Sequence, residues 1–274
     1  MLKKIFIFII ILCSIINGQV KTEIFPDDLT IQPFTANILE PKLGFLFQLG
    51  KNELRLDIGN SIDVYRNTTD NETYSFGADL FTYSLLERES DFHFPVVAID
   101  YLFGVNAGYK KTAGNYEYGA RLRFSHISAH FVDGYFDKDN NVWRNGLEPK
   151  VYSREFIEFM PYYKMNGFRI YTGFTYVYHI DPKQLGKDSY NLGFDYFYSN
   201  SVFGAIHPFA AYDIKLINMN EYSVNHSISC GVKFGKAAGK GLILYLNYFS
   251  GNNFHGELYF NKVEYSALGI NLEL

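Results

Sequence analysis

The sequence predicts an all-β fold, a transmembrane antiparallel β-barrel of about twelve strands, on the basis of three observations. Apolar and polar residues alternate with a period of two in segment after segment from Pro41 to Leu274. Aromatic residues make up 18% of the chain and are dominated by 26 Phe and 23 Tyr, which suits aromatic girdles at two membrane interfaces. The last strand ends on its apolar face. A soluble β-sandwich is the alternative all-β fold, but such an even alternation with apolar residues outward favours the barrel.

The first residues have the layout of a secretory signal peptide. Residues 1–18 begin with Lys3 and Lys4, continue with the apolar run 5–16 and end at the small residue Gly18. This run is shorter than the stretch of about 20 apolar residues that a transmembrane helix needs. We therefore exclude this segment from the fold.

Two regions remain once the signal peptide is removed. Residues 19–38 are expected to form an N-terminal periplasmic segment, and residues 39–274 a single outer-membrane barrel, because the strand patterns follow one another without a linker. Cys230 then has no partner thiol in the mature chain, so no internal disulfide is expected.

The strands are predicted from the alternation itself. In the second one, Leu54, Leu56 and Ile58 share one face, while Arg55 and Asp57 share the other. One face would contact lipid and the other would line a polar lumen. The expected strands are 41–49, 54–65, 74–84, 96–109, 115–131, 153–165, 168–180, 189–198, 202–215, 221–234, 241–250 and 262–274.

The predicted connections between strands fall into short turns and long loops. Asn166-Gly167 is a strong two-residue hairpin signal, and Asn200-Ser201 is a second short link. An even strand number puts both termini and these short turns in the periplasm. The long polar stretches at 132–152 and 251–261 then become extracellular loops.

The side chains predicted to face the lumen carry nearly balanced acids and bases. Such groups can pair through charge-assisted hydrogen bonds, which favours an occluded lumen over an open pore; open aqueous channels usually have about sixteen or more strands. A narrow, selective channel stays open as an alternative. The net charge of -4 and the lack of a basic patch give no indication of nucleic-acid binding. The predicted lumen network consists of Arg121, Arg123, Asp57, Asp100, Glu158 and Arg169.

In the strand at 115–131, three polar residues occupy positions whose side chains are predicted to face lipid. Phe124 continues directly into His126, Ser128 and His130 on the same face. Polar groups that face hydrocarbon are costly and tend to mark function. Two structural explanations stay open: a β-bulge near Ser125 that inverts the parity, or a position at the lipid headgroups.

Spacing separates the chemistries that these residues allow. His126 and His130 lie roughly 13 Å apart along a strand, which is too far for one metal ion, and no metal site is expected. His126 and Ser128 lie about 6.6 Å apart, close enough for an imidazole to activate a hydroxyl. Glu155 falls on the same face at the same end of the next strand and can orient the imidazole.

Two resemblances extend this reading. Residues 36–44, residues 124–135 and Ser153-Arg154-Glu155 resemble a bacterial family of unknown function, family 1207, which implies no activity. The His126-x-Ser128 motif, followed by a polar residue on the next strand, is similar to the outer-membrane phospholipase A and lipid A deacylase barrels, although those enzymes usually have Asn at the position of Ala129. This second resemblance implies that Ser128 is the nucleophile, His126 the base and Glu155 the orienting group.

The sequence therefore supports two hypotheses for an outer-membrane barrel of a Gram-negative envelope. The first is a barrel of unassigned function that acts as a narrow channel, a transport or assembly component, or a binding protein. The second is an outer-leaflet lipid acyl hydrolase. Outer-membrane lipid and the barrel assembly machinery are the expected partners. No cofactor is expected for the first hypothesis, whereas the resemblance to outer-membrane phospholipase A implies calcium for the second.

Overall fold

A computed structural model describes residues 20–274 of the chain, so the expected signal peptide at residues 1–18 lies outside the described residues. Within the described part, no helix is long and apolar enough to cross a membrane. The strands are β1 Lys21–Ile24, β2 Gly44–Gln48, β3 Glu53–Thr69, β4 Glu72–Glu87, β5 Val96–Ala113, β6 Tyr116–Phe131, β7 Phe136–Asp137, β8 Val142–Trp143, β9 Tyr152–Met165, β10 Phe168–Asp181, β11 Asp188–Phe197, β12 Ile206–Asn218, β13 Tyr222–Gly235, β14 Gly241–Asn252 and β15 Lys262–Glu273. The short 3₁₀ helices are Ser90–Phe92, Asp133–Tyr135, Arg144–Gly146 and Gly256–Leu258.

Twelve of these strands form a closed antiparallel barrel. Strands β2–β6 and β9–β15 each pair with the next barrel strand, and β15 pairs with β2 to close the sheet. Strand β1 pairs with the C-terminal part of β3, which β2 does not reach. Strands β7 and β8 form a small hairpin within the longest loop. The predicted fold class is confirmed.

The connections place the long loops at one end of the barrel, which we call the long-loop end. It carries the loops at 88–95, 132–151, 182–187 and 253–261. The opposite, short-turn end carries the tight hairpins, among them Asn166-Gly167. Both residues of that hairpin have positive φ angles, 50° and 82°, which is the type I′ geometry that Asn-Gly favours.

One strand begins later than the alternation predicts. The sequence favours a strand from residue 202, whereas β12 begins at Ile206. Val202 bridges to Ile206, and between them Phe203 and Gly204 have φ angles of 51° and 83°. A tight turn therefore occupies the start of the expected strand, since left-handed residues cannot continue a β-ladder.

The two faces of the wall differ as the alternation predicts. Outward side chains are large and apolar; Ile58, Leu80 and Phe103 have exposed fractions of 50%, 67% and 48%. Inward side chains are polar and buried, and Arg123 and Asp100 have no exposed surface. An apolar outer face around a polar interior is the pattern of a barrel that lies in lipid.

Residues 25–43 enter the lumen from the short-turn end, and we call them the N-terminal plug. The backbone N–H and hydroxyl of Thr30 donate to Asp63 Oδ2 at 2.8 and 2.6 Å. The Thr35 N–H donates to Asp195 Oδ1 at 2.9 Å, and Phe34 is fully buried. The sequence predicts a periplasmic segment over residues 19–38. The structure places residues 30–38 inside the barrel, where lumenal side chains form hydrogen bonds with their backbone N–H and C=O groups.

A second segment occupies the lumen at the long-loop end. In the loop at 253–261, the His255 imidazole is hydrogen-bonded through Nδ1 to Asp100 Oδ2 at 2.7 Å, and the Gly256 N–H donates to Asp100 Oδ1 at 2.8 Å. A Cβ atom on Gly256 would lie 2.2 Å from the Tyr152 ring, so this close approach requires glycine. The loop is therefore anchored against the inner wall.

We expect the barrel to conduct ions poorly, because the plug and the loop at 253–261 occupy its lumen from both ends. Planar-bilayer recordings of the purified protein measure this directly. A variant that lacks residues 25–40 should give larger steps than the full-length protein if it inserts. Large, persistent and weakly selective conductance from the full-length protein would show that the lumen is open.

Candidate functional site

Strands β6 and β9 bring the predicted lipid-facing residues together. In their register, His126 lies directly opposite Glu155, and Ser128 lies opposite Ser153. The pairing of β6 with both neighbours runs through Ser125 without a register shift, so the bulge considered there is absent. Ser125 is buried inside the barrel, and His126 and Ser128 lie on the outer face.

His126 and Glu155 form a hydrogen-bonded pair on this face. His126 Nδ1 lies 2.7 Å from Glu155 Oε1, and both side chains are 26% exposed. Because an ionised carboxylate can only accept, Nδ1 must donate its hydrogen. A neutral His126 then has its other nitrogen, Nε2, free as an acceptor, which is the tautomer that a general base needs.

Ser128 follows His126 by two positions on the same outer face. Its neighbours across the sheet are Tyr101 on β5 and Ser153 on β9. The Ser128 hydroxyl makes no hydrogen bond within the described part of the chain. It is therefore available to a group that approaches from outside the barrel.

A second histidine completes a row across three strands. His179 on β10 lies opposite Glu155, and its Nδ1 is 2.5 Å from Glu155 Oε2. Each carboxylate oxygen thus binds one imidazole. The Ser153 hydroxyl is 3.5 Å from Oε1, the oxygen that faces His126.

The alternation did not indicate His179, because a β-bulge places its side chain outward. The register of β10 against β9 shifts between Val177 and His179, so Tyr178 and His179 both face outward and Ile180 faces inward. The regular alternation of β10 instead predicts that Ile180 faces lipid and His179 faces the lumen. Because Ile180 is apolar, it also fits an outward position, so nothing in the alternation indicates the bulge.

Aromatic rings border the histidines. The Phe103 ring centroid lies 4.8 Å from that of His126 and limits where the imidazole can move. His130, the third polar residue on this face of β6, contacts Tyr101 instead, at a centroid distance of 6.0 Å. The row formed by His126, Glu155 and His179, together with Ser128, is the candidate site.

Three members of the predicted lumen network meet in one cluster. Glu158 Oε1 lies 3.3 Å from both Arg121 and Arg123. Arg123 also lies 3.1 Å from Asp79, and Arg121 binds Glu40 of the N-terminal plug through both terminal nitrogens. The plug thus supplies a carboxylate that the sequence analysis did not assign to this network.

The other three members bind elsewhere and do not join that cluster. Asp57 pairs with Arg55 at 2.6 Å, and Asp100 binds the loop at 253–261. Arg169 Nε donates to Asp195 at 2.7 Å, and its Nη1 donates to a plug carbonyl. The lumen therefore contains several local ion pairs and not one continuous network.

The fold and these faces define the class of protein. A closed twelve-stranded barrel with an apolar outer face and a polar, occluded interior is the architecture of bacterial outer-membrane β-barrel proteins. The chain belongs to the family described as "Protein of unknown function (DUF1207)", whose model matches residues 49–274. The resemblance to this family is confirmed.

Solved structures show which barrels this fold is similar to. Outer membrane phospholipase A from Escherichia coli is 14% identical, with a TM-score of 0.53 over 90% of this chain and 92% of that chain. The Salmonella typhi outer membrane phospholipase dimer with bound calcium is 13% identical, with a TM-score of 0.51 over 85% of this chain and 89% of that chain. No curated protein matches the sequence. At these identities the likeness concerns the fold alone.

Proposed function

We propose that this protein is a lipid acyl hydrolase of the outer membrane that cleaves a carboxylic ester of a phospholipid or of lipid A. The observation that carries the proposal is the hydrogen bond between His126 and Glu155 on the lipid-facing side of the wall, with Ser128 on the same face. A histidine oriented by a carboxylate, with a serine two positions along the same strand face, supplies the three groups that a serine hydrolase uses.

The chemistry follows from these positions. Ser128 Oγ attacks the ester carbonyl carbon while His126 Nε2 takes its proton, and Glu155 stabilises the imidazolium that forms. The protonated imidazole then gives the proton to the leaving lysolipid oxygen, which leaves an acyl group on Ser128. Water, activated by the same base, releases the fatty acid and restores the hydroxyl.

The position of the site supports a lipid substrate. All its side chains face away from the lumen, so a soluble ester inside the barrel would not reach them. An acyl chain that approaches sideways within the outer leaflet would meet Ser128 directly and would pack on the apolar outer wall. Polar side chains that face hydrocarbon lower the stability of the barrel, which is consistent with a functional role for them.

The residues near Ser128 do not by themselves fit a calcium site. No group of three or more His, Cys, Asp or Glu side chains between residues 20 and 274 is arranged to hold a metal ion. Glu155, the carboxylate of the site, already binds a histidine through each oxygen. We therefore route no step through calcium, and the lipid assays include it as a tested condition.

The alternative of a narrow channel has less support. The N-terminal plug crosses the interior, and the guanidinium groups of Arg121 and Arg123 are bound to carboxylates there. A permeant solute would have to displace a segment that is hydrogen-bonded to the wall at several points. The outward row of side chains would also have no role in such a channel.

A covalent probe tests the proposal at the level of one atom. An alkyl fluorophosphonate transfers its phosphorus to an activated serine hydroxyl, and fluoride leaves. We expect peptide mapping by mass spectrometry to locate the adduct on Ser128, together with fatty-acid release from ester phospholipids but not from their ether analogues. Labelling that is absent, or that survives in His126→Asn, would contradict the proposal.

His179 is expected to act through Glu155 as a positioning residue. His179→Ala should lower kcat up to about five-fold with little change in KM, because it removes one of the two imidazoles bound to an accessible carboxylate, an interaction of about 1 kcal/mol. Kinetics in mixed micelles measure the two constants separately. His130→Ala is the matched control on the same face, since His130 contacts Tyr101 and not Glu155. Equal losses in both variants would show that His179 has no special role.

A further inference from the structure

A cavity lies inside the barrel on the other side of the wall from the candidate site. The space inside it that is open to the centre of a water molecule is about 90 Å³, several times the roughly 10–15 Å³ that one water needs. Most of its surface is apolar, and Gly186 and Asn218, near the long-loop end, form part of its border. Its apolar walls include Leu39, Ile127, Phe156, Val177, Phe249 and Phe254.

Two cations border this cavity without a direct ion pair to a carboxylate in the described part of the chain. Lys215 on β12 is 7% exposed, and its ammonium group makes no hydrogen bond or ion pair within the described residues. Arg154 on β9 contacts Met219 Sδ at 3.4 Å and lies over the Tyr152 ring, and its Nε has no hydrogen-bond partner. Buried charges of this kind normally have a partner.

The carboxylates that border the cavity are already bound to other groups. Glu158 binds Arg121 and Arg123. Asp213 accepts hydrogen bonds from the Tyr171 hydroxyl and the Asn191 amide. Both carboxylates attract the Lys215 charge from a distance, but neither forms a direct ion pair with Lys215 or Arg154 within the described residues.

Asp188, the third carboxylate on the border, likewise accepts from Asn218 at 2.9 Å and Tyr222 at 2.6 Å. The charges of Arg154 and Lys215 lie close enough to interact with each other. An anion between them would relieve that repulsion and complete their hydrogen bonds.

We propose that this cavity binds a small amphiphilic anion, a carboxylate on an apolar chain. The carboxylate would bind Lys215 and Arg154, and the chain would pack against the apolar walls. Entry would be from the long-loop end, beside Gly186 and Asn218. This proposal does not depend on the hydrolase proposal, because it uses the inner face and none of the residues of the outer site.

Equilibrium binding of radiolabelled octanoate to the protein in lipid nanodiscs tests this inference, with empty nanodiscs to measure partition into lipid. We expect saturable binding to the wild type and at least ten-fold weaker binding to Lys215→Met and to Arg154→Gln. Lys164→Met is the matched control, because Lys164 lies on the inner face but borders a different cavity. Its affinity should stay within two-fold of the wild type.

Competition between octanamide and radiolabelled octanoate for the wild-type protein needs no variant and tests the contribution of the ligand's negative charge. The amide has the same chain without the anion, so it should compete at least ten-fold more weakly than octanoate. Equal competition, the absence of saturable binding above empty nanodiscs, or unchanged affinity in both cation variants would overturn the inference. If a cation variant fails to show the mobility shift of a folded barrel between unheated and heated gel samples, the octanamide comparison decides the outcome.

Discussion

Ser128→Ala is expected to lower fatty-acid release from phospholipid or lipid A by about 10³-fold or more, because it removes the only oxygen of the site that can form the acyl intermediate. His126→Asn should cause a loss of similar size, since the hydroxyl without its base is a poor nucleophile. The double variant should be no worse than either single one, because the two residues act as a unit. Release is measured with purified protein, with and without calcium.

Glu155→Gln separates orientation from charge. A glutamine can still accept the His126 Nδ1 hydrogen through its side-chain oxygen, but it carries no charge to stabilise the imidazolium. We therefore expect activity between those of the wild type and His126→Asn. Ser125→Ala is the matched control, because Ser125 lies on the same strand as Ser128 but on the inner face of the wall. Equal release by wild type and Ser128→Ala would refute the hydrolase proposal.

The regular part of the site could be predicted because strand geometry has a fixed period. Alternation alone assigns His126, Ser128 and Glu155 to the outer face, since successive side chains point to opposite sides. The antiparallel order of consecutive strands then brings Glu155 to the same end as His126. The structure adds the register that sets these two residues directly opposite each other.

The irregular parts could not be predicted from the same period. The outward position of His179 depends on one extra residue in β10, and the apolar Ile180 concealed that shift of phase. The N-terminal plug has no periodic pattern, because it is neither strand nor helix. Its contacts, such as that between Thr35 and Asp195, join positions 160 residues apart.

The same limit applies to charge pairing within the lumen. The alternation assigns Arg121 and Glu158 to the interior, where both are buried, but it does not indicate which acid each base binds. Glu40 could not be assigned to Arg121 without knowing that the plug folds back into the barrel. Short-range patterns therefore predict the faces of the wall, and long-range contacts determine the partners.

Glu40→Ala is expected to lower the free energy of unfolding by about 3 kcal/mol, because it leaves a buried charge without its partner. Glu40 is 1% exposed and binds both terminal nitrogens of Arg121. When this carboxylate is removed, Glu158 at 3.3 Å is the one carboxylate that still pairs with Arg121 within the described residues, and the plug loses its ionic link to β6. Reversible urea unfolding in lipid vesicles, followed by circular dichroism and by the gel mobility of unheated samples, measures the change.

Two further variants show whether charge or packing causes that loss. Glu40→Gln keeps the shape and one acceptor oxygen but removes the charge, so it should destabilise less than Glu40→Ala and more than Glu148→Ala. Glu148 is exposed in the long loop, and its removal should change the free energy of unfolding by less than about 0.5 kcal/mol. If Glu40→Ala changes stability as little as Glu148→Ala, the plug does not hold the barrel together through this ion pair. Its lumenal position would then rest on the apolar packing of Phe34 between Tyr162 and Tyr171.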